Sequence, residues 1–299
     1  VAAVVDRDGN VASSAKMKTP LGEEFEAVCV KIHELCTEAL EECDKSWDGV
    51  KAVGLAVPSS IDSRRHLLRH APNLGWQNVP LEGLGERVFG KPFTVGNDVN
   101  CGTLAEATYG AGKGFGSVVG FFVGTGLGGG VVVDGRLWEG GRGVAGEFGH
   151  MVVKYGGRRC GCGKRGCLEA YCSKTGFGKE FTRKILGGKK KSMLTDLVCA
   201  DLDNVRSKYL KQAYRAGDKV VCRTLDKAML KLGAAAAGVG AILDPDCFVF
   251  GGGVMEALGK ELMPNVSRGF EENLFAISAE EVSLRLSTLG DDAVPLGAA

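Results

Sequence analysis

Residues 146–169, GEFGHMVVKYGGRRCGCGKRGCLE, hold the densest chemistry in the chain. His150, Cys160, Cys162 and Cys167 follow one another with nine, one and four residues between them. Three thiolates and an imidazole are the ligands of a tetrahedral zinc, and a full set of four leaves no open position, which marks a structural ion. The glycines at 156, 157, 161, 163 and 166 supply the bends such a loop needs. Glu147 and Glu169 bracket the frame, so a metal there would hold two carboxylates and a histidine in place. Plainer readings exist for each: solvated carboxylates, Glu169 as a favourable charge at a helix start, His150 as a core histidine.

A second candidate is Asn97-Asp98, where an apolar strand gives way to a helix. A carboxylate at the carboxyl end of a strand can take a proton from a hydroxyl group, and the asparagine beside it can both donate and accept. The competing reading is a helix cap by either residue. Two glycine segments complete the inventory. Gly124, Thr125, Gly126, Gly128 and their neighbours form GTGLGGG between two strands, where backbone N–H groups could converge on a phosphate. Gly251, Gly252 and Gly253 follow a buried strand and precede a helix, a place for a nucleotide lying against backbone. Either alone could be a simple glycine-rich turn; two such platforms at strand ends favour a nucleotide between them.

The elements that must position these groups alternate between strand and helix. Asp8-Gly9-Asn10 predicts a hairpin within residues 1–18, and 22–45 a long amphipathic helix carrying Cys29, Cys36 and Cys43 on its apolar side. Residues 50–57 read as a strand buried on both faces, followed by a polar loop to 71. A helix at 81–89 and a strand at 92–96 lead into the helix 99–109. Beyond the glycine-bearing connector 110–116, strands at 117–123 and 130–133 flank the GTGLGG loop, and 136–138 completes a hairpin. Helices follow over 167–186, 193–200, 204–215 and 218–242, with Ala234–Ala237, Gly238 and Gly240 predicting close approach to a neighbouring helix or a ligand. Strands at 246–250 and 281–286 enclose one more helix, and a loop with Asp291-Asp292 closes the chain. The connector divides the chain into domains of residues 1–110 and 111–299.

Composition narrows the function classes. Of 299 residues, 44% are hydrophobic and 24% charged, with a net charge of +1. Such balance offers no field for nucleic acid or an anionic membrane, and Lys189–Lys191 reads as a solvated loop. No apolar run is long enough to span a bilayer and Val1 opens no signal sequence, so a cytoplasmic setting is expected. Eleven cysteines, an odd number in a large chain, argue against a disulfide framework. Cys101, Cys172, Cys199, Cys222 and Cys247 read as core packing.

GNDVNCGTLAE, GTGLGGG, AGEFGHM and CGCGKRGCLEAY, in that order, resemble the ROK family of sugar kinases and sugar-responsive repressors. APNLGW at 71–76 and DPDCFVFGGGV at 244–254 extend the match across nearly the whole chain. The resemblance implies a two-domain α/β fold, actin-like and ribonuclease-H-like, with a zinc-binding loop and a cleft between the domains. It implies that Asp98 is the catalytic base and that Asn73, Asn97, Glu147, His150 and Glu169 contact the sugar. It makes His150, Cys160, Cys162 and Cys167 the zinc ligands, GTGLGGG a phosphate loop and Gly251–Gly253 the adenosine contact. ATP and Mg²⁺ would serve phosphoryl transfer to a hexose primary hydroxyl, as in a glucokinase, and a homodimer is the family expectation. The alternatives are an N-acetylmannosamine or fructose kinase, or the sugar-sensing part of a repressor. Three departures stand out. A D-x-G-G-T hairpin is expected just before Val1, Ser59-Ser60 replaces Gly-Pro, and DDAVPLGAA falls short of a closing helix. Leu168 also stands where some glucokinases of the family carry Trp.

Overall fold

A computed structural model describes the chain apart from residues 72, 199–200, 203–204 and 276–277, so Cys199 and parts of the expected helices 193–200 and 204–215 lie outside the described residues. β1 (Ala2–Val5) and β2 (Val11–Ala15) form the expected antiparallel hairpin, turned by Gly9 at φ 84°. α1 (Phe25–Glu42) covers it, burying Phe25, Val28, Cys29, Leu35, Ala39 and Leu40. Cys29 is buried, whereas Cys36 and Cys43 are only half-buried.

β3 (Val53–Val57) is followed by β4 (Ser60–Asp62), β5 (Leu67–Ala71) and β6 (Trp76–Pro80). α2 (Leu84–Phe89) then leads to β7 (Phe93–Asn97) and α3 (Asp98–Thr108). Two expectations are corrected here. Among the described residues β3 pairs only with β7, in parallel, and Val53–Ala56 are half-buried rather than enclosed on both faces. The stretch to 71 read as a polar loop holds β4 and β5, which form an antiparallel sheet with β6. Its strands are short and carry Asp62, Arg69 and His70, so alternation is masked; yet Ile61, Leu68, Ala71 and Trp76 are buried and build a common core with α1 and α2. Asp62 is tolerated inside because Arg69 pairs with it, the usual condition for a buried carboxylate.

The second half is a five-stranded sheet in the order β10-β9-β8-β11-β12. Its strands are β8 (Ser117–Val123), β9 (Leu127–Val133), β10 (Arg136–Leu137), β11 (Cys247–Gly251) and β12 (Ser283–Leu286). β8, β11 and β12 are mutually parallel and β9 is antiparallel to β8. β9 begins at Leu127, so the expected six-residue glycine loop shrinks to Gly124–Gly126. The helices are α4 (Glu169–Cys172), α5 (Lys174–Thr182), α6 (Leu194–Leu197), α7 (Ser207–Arg215), α8 (Lys219–Leu243), α9 (Gly253–Glu271) and α10 (Ala293–Ala298). The single helix expected over 167–186 breaks at Ser173, which turns extended and caps α5 by accepting from Gly176 N at 3.1 Å. The close approach on α8 is to α9, through Gly233 against the Val266 carbonyl and Gly269 against that of Leu230, while Gly238 meets nothing. α8 and α9 bury the large core with Phe121, Phe248, Phe250 and Phe270. Residues 293–298, read as part of a closing loop, are helical. α10 returns to α3 and β3, so tightly that a Cβ at Gly54 would collide with the Ala298 carbonyl.

Candidate active site and metal centre

β7 ends on Asn97 and α3 starts on Asp98. The plain reading applies to Asn97: its Oδ1 accepts from Val99 N at 2.9 Å and Asn100 N at 3.0 Å, which is a helix cap. Its Nδ2 donates to the Ser59 carbonyl at 3.1 Å, tying α3 to the strand end after β3. Asp98 is less committed. Among the described residues its side chain has one hydrogen-bond partner, Val99 N at 2.9 Å, and burial pushes its carboxyl above the ordinary value of 3.8, with backbone amides offsetting part of that. A carboxylate so desolvated is a stronger base than one in water.

α3 lies on β9 because β9 has glycines where the helix touches it. A Cβ at Gly128 would sit 2.5 Å from Val99 Cγ2, and one at Gly130 would sit 2.5 Å from Thr103 Oγ1. This contact seats the first turn of α3, with Val99 next to Asp98, on β9 just beyond the β8–β9 turn. The turn itself is closed by Gly124 N donating to Gly126 O at 2.9 Å, and it docks on the start of α5, where Lys174 N donates to Gly124 O at 3.0 Å. Because β8 and β11 are parallel neighbours, their glycine turns end side by side: Gly252, at φ 82°, packs against the backbone of Val123, and a Cβ there would lie 2.8 Å from Val123 N. α9 begins at Gly253, directing its amide ends toward the same place.

The cysteine–histidine frame folds into a cluster. Nδ1 of His150 lies 3.8 Å from Cys160 Sγ, Cys162 Sγ lies 3.8 Å from Cys167 Sγ, and the four ligand atoms are all within 4.8 Å of one another. A tetrahedral ion with bonds of about 2.3 Å to sulfur has edges of about 3.8 Å, so this donor set fits zinc. The bridge between Val152 and Cys167 and the turn in which Cys160 N donates to Lys164 O at 2.8 Å set the frame. Arg158 anchors it, stacking over Tyr171 and pairing with the Glu180 carboxylate at 2.7 Å. Burial alone would raise the Glu180 pKa, but Arg183, Arg158 and Lys184 outweigh it and hold the carboxyl down at about 2.

The carboxylates flanking the frame face different neighbours. Glu147 Oε2 lies 3.9 Å from His150 Nε2, the ring nitrogen turned away from the cluster. Glu169 Oε2 accepts from Leu127 N at 3.0 Å and its Oε1 from Cys160 Sγ at 3.2 Å, so this carboxylate supports the β8–β9 turn. A metal-bound Cys160 is a thiolate without a proton to donate, which would leave Oε1 free. Asn97, Gly128 and Glu147 line one recess in the cleft together with Ser59, Ser60 and Asn100. Asn73 stands apart, exposed in the β5–β6 connection, with no hydrogen bond to the cleft among the described residues.

Two residues of the GNDVNCGTLAE segment escaped assignment. Asn100 lines the recess and is buried. Glu106 is fully buried, and its carboxylate accepts from Ala111 N (2.8 Å), Ser287 Oγ (2.6 Å), Thr288 N (3.0 Å) and Leu289 N (2.9 Å). The signal that could have flagged Glu106 is an acidic residue on the inner face of a helix with no cation at helical spacing.

Known proteins extend this picture. The chain is 34% identical to a glucokinase of Thermotoga maritima over 301 residues, 99% of this chain and 91% of that one. A xylose repressor of Caldicellulosiruptor bescii is 26% identical over 95% of this chain and 69% of its own length. Among solved structures, a ROK family glucokinase from Streptomyces griseus in complex with glucose and AMPPNP superimposes with a TM-score of 0.82 at 31% identity, covering 99% of this chain and 93% of that one. The fold is accordingly the actin-like α/β fold expected from the motifs. With the ROK family model matching residues 1–299, the chain belongs to the ROK family.

Proposed function

We propose that the protein is an ATP-dependent sugar kinase of the glucokinase type, transferring the γ-phosphoryl group to the primary hydroxyl of a hexose. The observation that carries this reading is the meeting of three features. A desolvated carboxylate, Asp98, starts the helix whose next residue, Val99, packs on Gly128 of β9. The turn Gly124–Gly126 abuts the Gly251–Gly253 turn on the adjacent parallel strand. The relatives named glucokinase supply the substrate class.

In this reading Asp98 accepts the proton of the sugar hydroxyl as its oxygen attacks the γ-phosphorus, and ADP leaves. Thr125, Gly126 and Gly128 border the phosphates, and Gly251, Gly252 and Gly253 border the adenosine. Mg²⁺ accompanying ATP would neutralise phosphate charge, the main chemical demand of this transfer. Asn97, Glu147, His150 and Glu169 are assigned to sugar hydroxyls. Asn73 is retained only as a contact that closure would have to bring in. His150, Cys160, Cys162 and Cys167 would hold a structural zinc that fixes the His150 ring, leaving Nε2 for substrate. Residues 1–110 and 111–299 are read as two lobes that close on the substrates and exclude water, with α10 of the second packing back on α3 and β3 of the first. A homodimer in the cytoplasm, where ATP is available, is part of the proposal.

The test is ADP release by the purified protein with ATP across glucose, mannose, fructose, N-acetylglucosamine and N-acetylmannosamine. Turnover with a hexose supports the kinase; the preferred sugar names the substrate. Sugar binding by calorimetry with no ADP release for any of them would replace it with a sensing role like that of the repressor relative.

A further inference from the structure

Asn100 has a side chain that the fold leaves without a partner. The residue is 8% exposed, its backbone N–H is used in the Asn97 cap, and its side-chain amide makes no hydrogen bond among the described residues. Its amide is reached from the recess, since the one enclosed side-chain N or O atom without a partner among the described residues is Arg69 Nε. Held in the wall of the recess with its donors and acceptor uncommitted, it is placed to bind a group that arrives with a ligand.

The surroundings define that group. Asn100 is one helical turn beyond Asn97 and on the same face of α3, and both line the recess with Ser60 and Glu147. Gly130 lies under the amide: a Cβ there would be 3.2 Å from Oδ1, so β9 leaves the amide room without contacting it. An amide offers two donors and an acceptor, the complement of neighbouring hydroxyl groups, each of which donates and accepts. We propose that Asn100 is a further sugar-binding residue, hydrogen-bonding a ring hydroxyl at the floor of the cleft and so selecting hexoses by their configuration there. This rests on reading the cleft as a sugar site. Asn100 touches a non-reacting hydroxyl, so its effect belongs in sugar affinity and KM, with kcat largely spared.

The experiment compares wild type, Asn100→Ala and Asn100→Asp by isothermal titration with the hexose that wild type binds most tightly and with its monodeoxy analogues. ADP release and calorimetric Tm are measured alongside. Asn100→Ala is expected to weaken the parent sugar by about tenfold or more, as loss of a hydrogen bond in a polar pocket does, with kcat within about threefold of wild type. For one deoxy analogue, wild type and variant should bind alike, because the hydroxyl that Asn100 holds is missing; such non-additivity identifies a direct contact. Unchanged sugar affinity, or the same loss with every analogue, overturns the inference. Should Asn100→Ala fail to fold, Asn100→Asp decides, since it keeps the shape and loses both donors. ADP release with no Asn100 effect on affinity defeats this inference alone. Hexose binding without ADP release defeats the kinase reading, and the affinity comparison still judges Asn100. A wild type that binds none of the hexoses defeats both.

Discussion

Asp98 and Asn97 show how one dipeptide divides two tasks. Asn97 spends its amide on capping α3 and on the Ser59 carbonyl, so it fixes where the helix starts. Asp98 is then presented at the start of that helix with its carboxylate mostly uncommitted. Its base strength comes from burial, and that has a cost in stability. A carboxyl with a raised folded pKa contributes stability that is present below its unfolded pKa and is lost as pH rises through the folded value. Asp98→Asn is therefore expected to melt higher than wild type near neutral pH, with the gap narrowing as pH falls toward the carboxylate range. The same variant should lose about 10²–10⁴-fold in kcat while sugar binding persists, the usual contribution of a general base. In wild type the acid limb of kcat/KM should lie above 3.8. Near-normal turnover in Asp98→Asn would remove Asp98 from the role of base. The buried thiols take no part in this chemistry: burial pushes Cys29, Cys101 and Cys172 up to about 12, where the nucleophilic thiolate is scarce.

Among the elements, α3 bears most of the functional burden. Its first residue is the proposed base, its middle packs on the β9 glycines, and near its end Glu106 gathers the chain on either side of the second sheet. Ala111 lies where the chain leaves α3 for β8, and Ser287–Leu289 lie where it returns from β12 toward α10. A single buried carboxylate thus ties the chain entering and leaving the five-stranded sheet to the helix that holds Asp98. Glu106→Ala would leave three backbone N–H groups without their acceptor, and each such buried donor costs about 1–3 kcal/mol. The expected loss in urea unfolding is about 3 kcal/mol or more, with Glu106→Gln intermediate because one oxygen acceptor remains. An unfolding free energy within about 0.5 kcal/mol of wild type, the range of an ordinary surface change, would show that water or a neighbour replaces the carboxylate.

For the molecule as a whole, the two largest apolar clusters organise the packing. One joins α1, α2 and β3–β7; the other joins α8, α9 and the five-stranded sheet. α10 crosses back from the second sheet to pack on α3 and β3. No helix among the described residues is long and apolar enough to cross a membrane. The cysteine–histidine cluster touches two proposed sugar contacts, through Glu147 beside His150 and Glu169 beside Cys160, so under the proposed function metal and sugar should be coupled. Stripping metal with a chelator is expected to lower Tm, because a structural site contributes its binding energy to folding, and to raise the sugar KM, because His150 and Glu169 lose their support. If elemental analysis shows the metal gone while Tm and KM hold, the cluster has no part in the sugar site.

Local patterns in the sequence were sufficient wherever structure depends on near neighbours. The Asp8–Asn10 turn, α1, the start of α3 and the His150–Cys167 frame all follow from spacing, turn chemistry and ligand type. Much of the site is legible for the same reason, since GTGLGGG and Gly251–Gly253 announce close backbone approach by composition. Long-range packing settled the rest. The sheet β4-β5-β6 hides behind Asp62, which is acceptable inside because Arg69 pairs with it across the strands. The Glu106 clamp joins residues 181 to 183 positions apart, and no local pattern encodes which donors a buried carboxylate will meet. Asn100 looks in sequence like one more polar residue in the first turn of a helix. Only the seating of α3 on the glycines of β9 turns its amide into the recess and leaves it without a partner.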